Sequence, residues 1–213
     1  MMQLSWQIIG YHQAMIKNIL RAALLTAGAA PLFAHAEGHL NEMGSSTAAS
    51  MGFLHPMLGW DHLLAMVAVG ALGASLSGRH RYALPGTFLG ALVIGGLVAL
   101  AGVPLIGGEW VISASVLVLG AYLAWAAVPL HVMYGTVAVA AMFHGHAHLA
   151  EMPAGAGVLA YGAGMLLATG LLHGLGSAAG YGLQRWTPGV SLRIAGGSIA
   201  AGGAILMGVL SLG

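Results

Sequence analysis

His55-Pro56-Met57-Leu58-Gly59-Trp60-Asp61-His62-Leu63-Leu64-Ala65-Met66-Val67-Ala68-Val69-Gly70 reads as the start of a membrane helix, yet its first eight residues hold two imidazoles and the only aspartate in the chain. A carboxylate near a hydrocarbon core is unfavourable by roughly 2.5 to 3.5 kcal/mol on insertion scales, so it is kept there with a partner or for a purpose. At about 100° per residue, His55 and His62 are predicted to share one helix face two turns apart. Asp61 lies about 100° round from His62, where it can ligate an ion or orient a neighbouring imidazole. Pro56 suits the first turn of that helix and leaves His55 at its lip. The chemistry indicated is a divalent metal ion.

Composition sets the surroundings. Of the 213 residues, 59% are hydrophobic and 5% charged, far from the roughly 25% charged of soluble domains. The predicted fold is all-α, a polytopic membrane protein. Its 35 glycines suit helices that pack closely in lipid, where small residues let backbones approach. A formal net charge of +1, with no clustered basic face, argues against nucleic acid as a partner. The absence of cysteine removes disulfides, thiolate metal sites and cysteine nucleophiles, so a transition metal must take nitrogen, oxygen or thioether ligands. Eleven histidines are the main stock. There is no GxxxxGK[ST] phosphate loop, and the only lysine, Lys17, precedes the bundle, so no ATPase motif is present.

Lys17 and Arg21 lead into an apolar run from Ala22 to Phe33 that ends at Ala34-His35-Ala36. A basic flank, a short apolar stretch and small residues before the cut form a secretory signal, so residues 1–36 are expected to be upstream sequence plus a cleavable signal peptide, with Met15 a suitable start. Cleavage after Ala36 would expose Glu37-Gly38-His39, whose amine, amides and imidazole can close a square-planar chelate. Residues 37–52 are expected to form a short periplasmic tail, and 53–213 the transmembrane domain.

A bilayer core of about 30 Å needs around 20 apolar residues as helix, which predicts a six-helix transmembrane bundle with spans near 53–77, 82–102, 110–128, 130–150, 155–179 and 191–212. With both mature termini in the periplasm, all six basic residues (Lys17, Arg21, Arg79, Arg81, Arg185 and Arg193) fall on the cytoplasmic side, as the positive-inside rule requires. Glu37, Glu42, Glu109 and Glu151 then give cations an acidic outer approach.

The second polar concentration is Phe143-His144-Gly145-His146-Ala147-His148-Leu149-Ala150-Glu151. His144, His148 and Glu151 occupy one stripe of a helix, and His146 turns to nearly the opposite face. The first span descends from the outside and the fourth rises to it, so His62 and His144 each lie about 10 Å below the outer ends at 1.5 Å per residue. If the two faces meet, His55, Asp61, His62, His144, His148 and Glu151 build one metal site near the outer entrance. His39, His131, His146 and His173 are secondary candidates, His131 and His173 toward the cytoplasmic end. Among the methionines only Met57 and Met66 stand near enough to serve as thioether ligands, the rest being core.

His55-x5-Asp61-His62 within HPxxGxDH, followed by Leu64-Ala65-Met66-x-Ala68-Val69-Gly70, resembles the first signature of the HupE/UreJ family of nickel/cobalt permeases, and Phe143-His144-Gly145-x-Ala147-His148-x-x-Glu151 is similar to its second, FHGxAHGxE. Leu149 stands where the family usually has glycine, which leaves the helix approach beside His148 in question. The resemblance implies uptake of Ni(II) or Co(II) as transported substrate, with no prosthetic group, through the bacterial inner membrane. It further implies service to hydrogenase or urease maturation proteins or a cytoplasmic nickel chaperone. Taken without the resemblance, the same residues leave open an intramembrane metal-dependent hydrolase, although His144-Gly145-His146-Ala147-His148 lacks the glutamate of HExxH. A membrane metal sensor or chaperone that binds without translocating is the other alternative.

Overall fold

The computed structural model of the chain describes residues 44–125 and 127–212. Among them are seven helices and no strand: α1 (Ser45–Leu58), α2 (Trp60–Ser75), α3 (His80–Leu100), α4 (Gly108–Ala124), α5 (Leu130–Ala150), α6 (Val158–Trp186) and α7 (Val190–Leu210). The signal peptide expected over 1–36, and His39, lie outside the described residues.

The opening stretch is not one helix. Gly59, extended at φ −93° and ψ 119°, separates α1 from α2, and the two axes diverge by 82°. Pro56 sits inside α1 near its C-terminal end rather than in a first turn. Lacking an N–H, it leaves the Gly52 carbonyl without the usual helical donor, and α1 stops two residues later. The segment expected as a polar tail is helical from Ser45, and Ala48 and Gly52 are buried, the latter against the Tyr161 backbone of α6.

Other boundaries also move. Pro129 disfavours helical backbone at residue 128, and α4 already ends at Ala124. By contrast α6 continues to Trp186, past 179 where the fifth span was expected to end. Ser177 Oγ donates to the Gly70 carbonyl at 3.0 Å and Gln184 Nε2 to the Ala74 carbonyl at 3.3 Å, which holds that end of α6 along α2. Length and apolarity sufficient for a single-helix span are met by α3, α6 and α7, and by α1 with α2 if the bent pair is counted as one crossing.

Four helix pairs carry most of the packing: α4 with α7, α3 with α5, and α6 with both α1 and α2. Each has a glycine on both sides. A β-carbon on Gly95 would fall on the Met142 carbonyl, and one on Gly145 on the Leu92 carbonyl. Gly52 and Gly164 face each other's helices across α1 and α6, Gly70 and Gly176 across α2 and α6, and Gly120 and Gly196 across α4 and α7. Backbone-to-backbone approach of this kind is what small residues permit between apolar helices. The core between the pairs is made of Met66, Val69, Leu72, Leu84, Phe88, Leu92 and Leu119 among others.

Successive helices from α2 onward alternate in direction. One end of the bundle therefore gathers Asp61, Glu109 and Glu151, and the other Arg79, Arg81, Arg185 and Arg193. Exposed Trp60 and Trp110 ring the acidic end, and exposed Tyr82, Trp125 and Trp186 the basic end.

Candidate metal site

The site forms where the α1–α2 break meets the last two turns of α5. His55 comes from the final turn of α1, Asp61 and His62 from the first turn of α2, and His144 and His148 from one stripe of α5. His62 is the hub, its ring centre 4.3 Å from that of His148, 4.9 Å from His144 and 6.0 Å from His55. His55 and His148 are 4.8 Å apart, edge to face. His55 and His62 meet because the chain bends between them, not because they share a helix face, and depth counted along a straight first span does not apply.

One ligand atom from each of His55, His62 and His148 lies within 4.8 Å of the others. Metal–nitrogen bonds of about 2.1 Å place ligand nitrogens roughly 3 to 4 Å apart, so small ring rotations of under about 1 Å would close them on one ion. His62, His144 and His148 are at most 7% exposed. His62 Nδ1, His144 Nε2 and both nitrogens of His148 have no hydrogen-bond partner, a rare condition for buried polar atoms that calls for an explanation. His144 is prepared as ligating imidazoles usually are: its Nδ1 donates to the Ala140 carbonyl at 2.9 Å, leaving the Nε2 lone pair without a partner.

Two carboxylates serve different places. Asp61 Oδ1 accepts the His62 backbone N–H at 2.8 Å and stands 3.8 Å from His62 Nε2. It therefore holds the first turn of α2 at His62 and sets a carboxylate beside the imidazole cluster. Glu151 Oε2 lies 3.4 Å from His55 Nε2 and is half exposed at the mouth. Glu109 stands in the first turn of α4, at the same end of the bundle.

The secondary candidates separate. His146 Nε2 donates to the Val103 carbonyl at 2.8 Å, so it ties α5 to the loop after α3 and does not face the cluster. His131 is exposed in the first turn of α5, at the basic end. His173 is buried in α6, where its ring packs on Phe88, which also touches His144. Met66 is fully buried in the core and Met57 packs against it. The departure at Leu149 has a local answer: its side chain lies against α3 where a β-carbon on Gly96 would be only 3.1 Å away, so a glycine on the facing helix accommodates the leucine.

Two residues escaped sequence reasoning. Tyr161 of α6 is 1% exposed, its hydroxyl has no partner, and its ring is 6.2 Å from His55. Phe88 of α3 stacks edgewise on His144. A lone tyrosine or phenylalanine in an apolar run carries no pattern that would mark it.

The HupE / UreJ protein family matches residues 22–206 of this chain. Protein HupE of Rhizobium leguminosarum bv. viciae is 38% identical over 187 residues, an alignment that takes in 86% of this chain and 94% of that protein. No solved structure matches the chain. With both signatures inside the matched span and their histidines converging on one point, the chain belongs to the HupE/UreJ family.

Proposed function

We propose that the protein is a permease importing Ni(II), or Co(II), across the bacterial inner membrane. The observation that carries this reading is the convergence of His55, His62 and His148, with ligand atoms within 4.8 Å of one another at the acidic end of an apolar bundle. In this reading the bent α1–α2 pair and α3 to α7 are six crossings that follow a cleaved signal peptide. Residues 37–43 join that leader to α1, and the acidic end and both mature termini face the periplasm. Unprotonated imidazole suits nickel and cobalt. A site that needs slight closure to complete its shell holds the ion loosely enough to release it, as conduction requires.

His55, Asp61, His62, His144, His148 and Glu151 are the proposed ligands and their immediate support, with Glu151 at the mouth. The ion is substrate, not cofactor, and no catalytic role is assigned. Hydrogenase or urease maturation proteins, or a cytoplasmic nickel chaperone, are the proposed recipients. Radiolabelled Ni(II) accumulation in proteoliposomes tests the reading. The unaltered protein and His146→Ala should accumulate the ion, while His62→Ala and His144→Ala should lose at least about tenfold in uptake, the usual scale for a ligand or its support. Binding without accumulation by the unaltered protein would make it a receptor rather than a carrier.

A further inference from the structure

Beyond the outer cluster, one more buried imidazole among the described residues lacks any hydrogen-bond partner. His173 of α6 is 4% exposed, and neither ring nitrogen has a hydrogen bond. Its polar neighbours one turn away are satisfied: Thr169 Oγ1 donates to the Met165 carbonyl at 2.9 Å and Ser177 Oγ to the Gly70 carbonyl at 3.0 Å. His173 alone on that face keeps two idle nitrogens in an apolar interior, where an ionisable group marks function by default.

Its position extends the outer site inward. Tyr161 stands beside His55 at the mouth, and His173 lies about 18 Å further along α6 at 1.5 Å per residue. The fully buried ring of Phe88 touches both His173 and His144. Ring centres are 5.1 Å from Phe88 to His173, at 90°, and 5.7 Å from Phe88 to His144. Two imidazoles with unpartnered nitrogens thus flank one phenyl ring.

We propose that His173 is a second, inner binding station for a divalent transition-metal ion, separated from the outer imidazoles by the Phe88 ring. This rests on the import reading above. An ion leaving His144 passes to His173 when the phenyl ring swings aside, so the two stations are occupied in turn and neither needs to hold the ion tightly.

The chain has no cysteine, so His173→Cys would place its only thiol at the inner station, as a small and apolar replacement that the core tolerates. Co(II) added outside sealed proteoliposomes of that full-length variant should produce a thiolate-to-cobalt charge-transfer band in the near ultraviolet that the unaltered protein lacks. Absence of the band overturns the inner station. In the same background Phe88→Leu should make the band develop several-fold faster, and an unchanged or slower rate removes Phe88 as the partition. His173→Gln should reduce Ni(II) accumulation at least about tenfold, while Ni(II) binding to the outer imidazoles persists; uptake at the unaltered rate would refute the proposal. Failure of the unaltered protein to accumulate Ni(II) counts against import itself, whereas the same band in detergent solution, where both ends of the protein are open to Co(II), reads position 173 without import.

Discussion

A β-carbon on Gly59 would lie 2.8 Å from Asp61 Oδ1 and 2.8 Å from His62 Cδ2. The backbone there is extended, a conformation open to any residue, so what demands glycine is the space taken by the Asp61 and His62 side chains. Both obstacles are side-chain atoms that can move, and Gly59→Ala should therefore fold. It should also push the carboxylate off the His62 N–H and turn the His62 ring. Isothermal titration of the purified variant with Ni(II) is expected to show about a tenfold weaker affinity, equivalent to about 1.4 kcal/mol, with thermal stability little changed. Equal affinity would mean that Asp61 and His62 do not set the site. The histidines and the aspartate were legible as ligand chemistry from sequence; Gly59 read only as part of a motif, because its role lies in what its missing side chain would strike.

Between α3 and α5, packing and propensity make opposite predictions. An alanine in a helix interior is favoured over glycine by about 1 kcal/mol, whereas forcing an extra carbon into a filled contact typically costs about 1–3 kcal/mol. At Gly145 the added carbon would meet the Leu92 backbone, and at Gly90, on the outer side of α3, it would meet nothing within 4 Å. Gly145→Ala should therefore lower the unfolding temperature by several degrees despite its better propensity, and should disturb the adjacent His144. Gly90→Ala should leave stability equal or slightly raised. Thermal unfolding of the two variants side by side checks this, and equal behaviour would deny the close approach. The stripe of His144 and His148 on α5 was predictable from helical period. The bend that sets α1 across α6 was not, since Pro56 could equally have opened a helix and Gly59 could have been absorbed into one.

Charge is sorted along the bundle: three carboxylates gather at one end of the described residues and four guanidiniums at the other. Tryptophans stand at both ends, as aromatic side chains do at membrane interfaces, and along α4 the step from Trp110 to Trp125 is about 22 Å at 1.5 Å per residue. With 17 residues, α4 lies at the short limit for crossing a hydrocarbon core. If all six crossings form, Ile106 and Thr187 lie on opposite sides. In intact cells depleted of their outer membrane, an impermeant thiol reagent should label Ile106→Cys and leave Thr187→Cys unmodified until the membrane is breached. Labelling of both from outside would break the alternation between α3 and α7.

Sequence alone determined the all-helical class and the membrane setting, and it offered imidazoles and carboxylates, with no thiolate, as candidate ligands. These follow from composition and from periodicity within single helices, which local interactions govern. Tertiary structure decided which imidazoles meet. His62 faces His144 and His148 because α2 begins anew after Gly59 and because α3 to α7 pack through paired glycines. His146 turns instead to the Val103 carbonyl, and Phe88 comes into contact with both His144 and His173. Such contacts join residues tens of positions apart, where the backbone approach between helices, and no repeat along the chain, selects the neighbours.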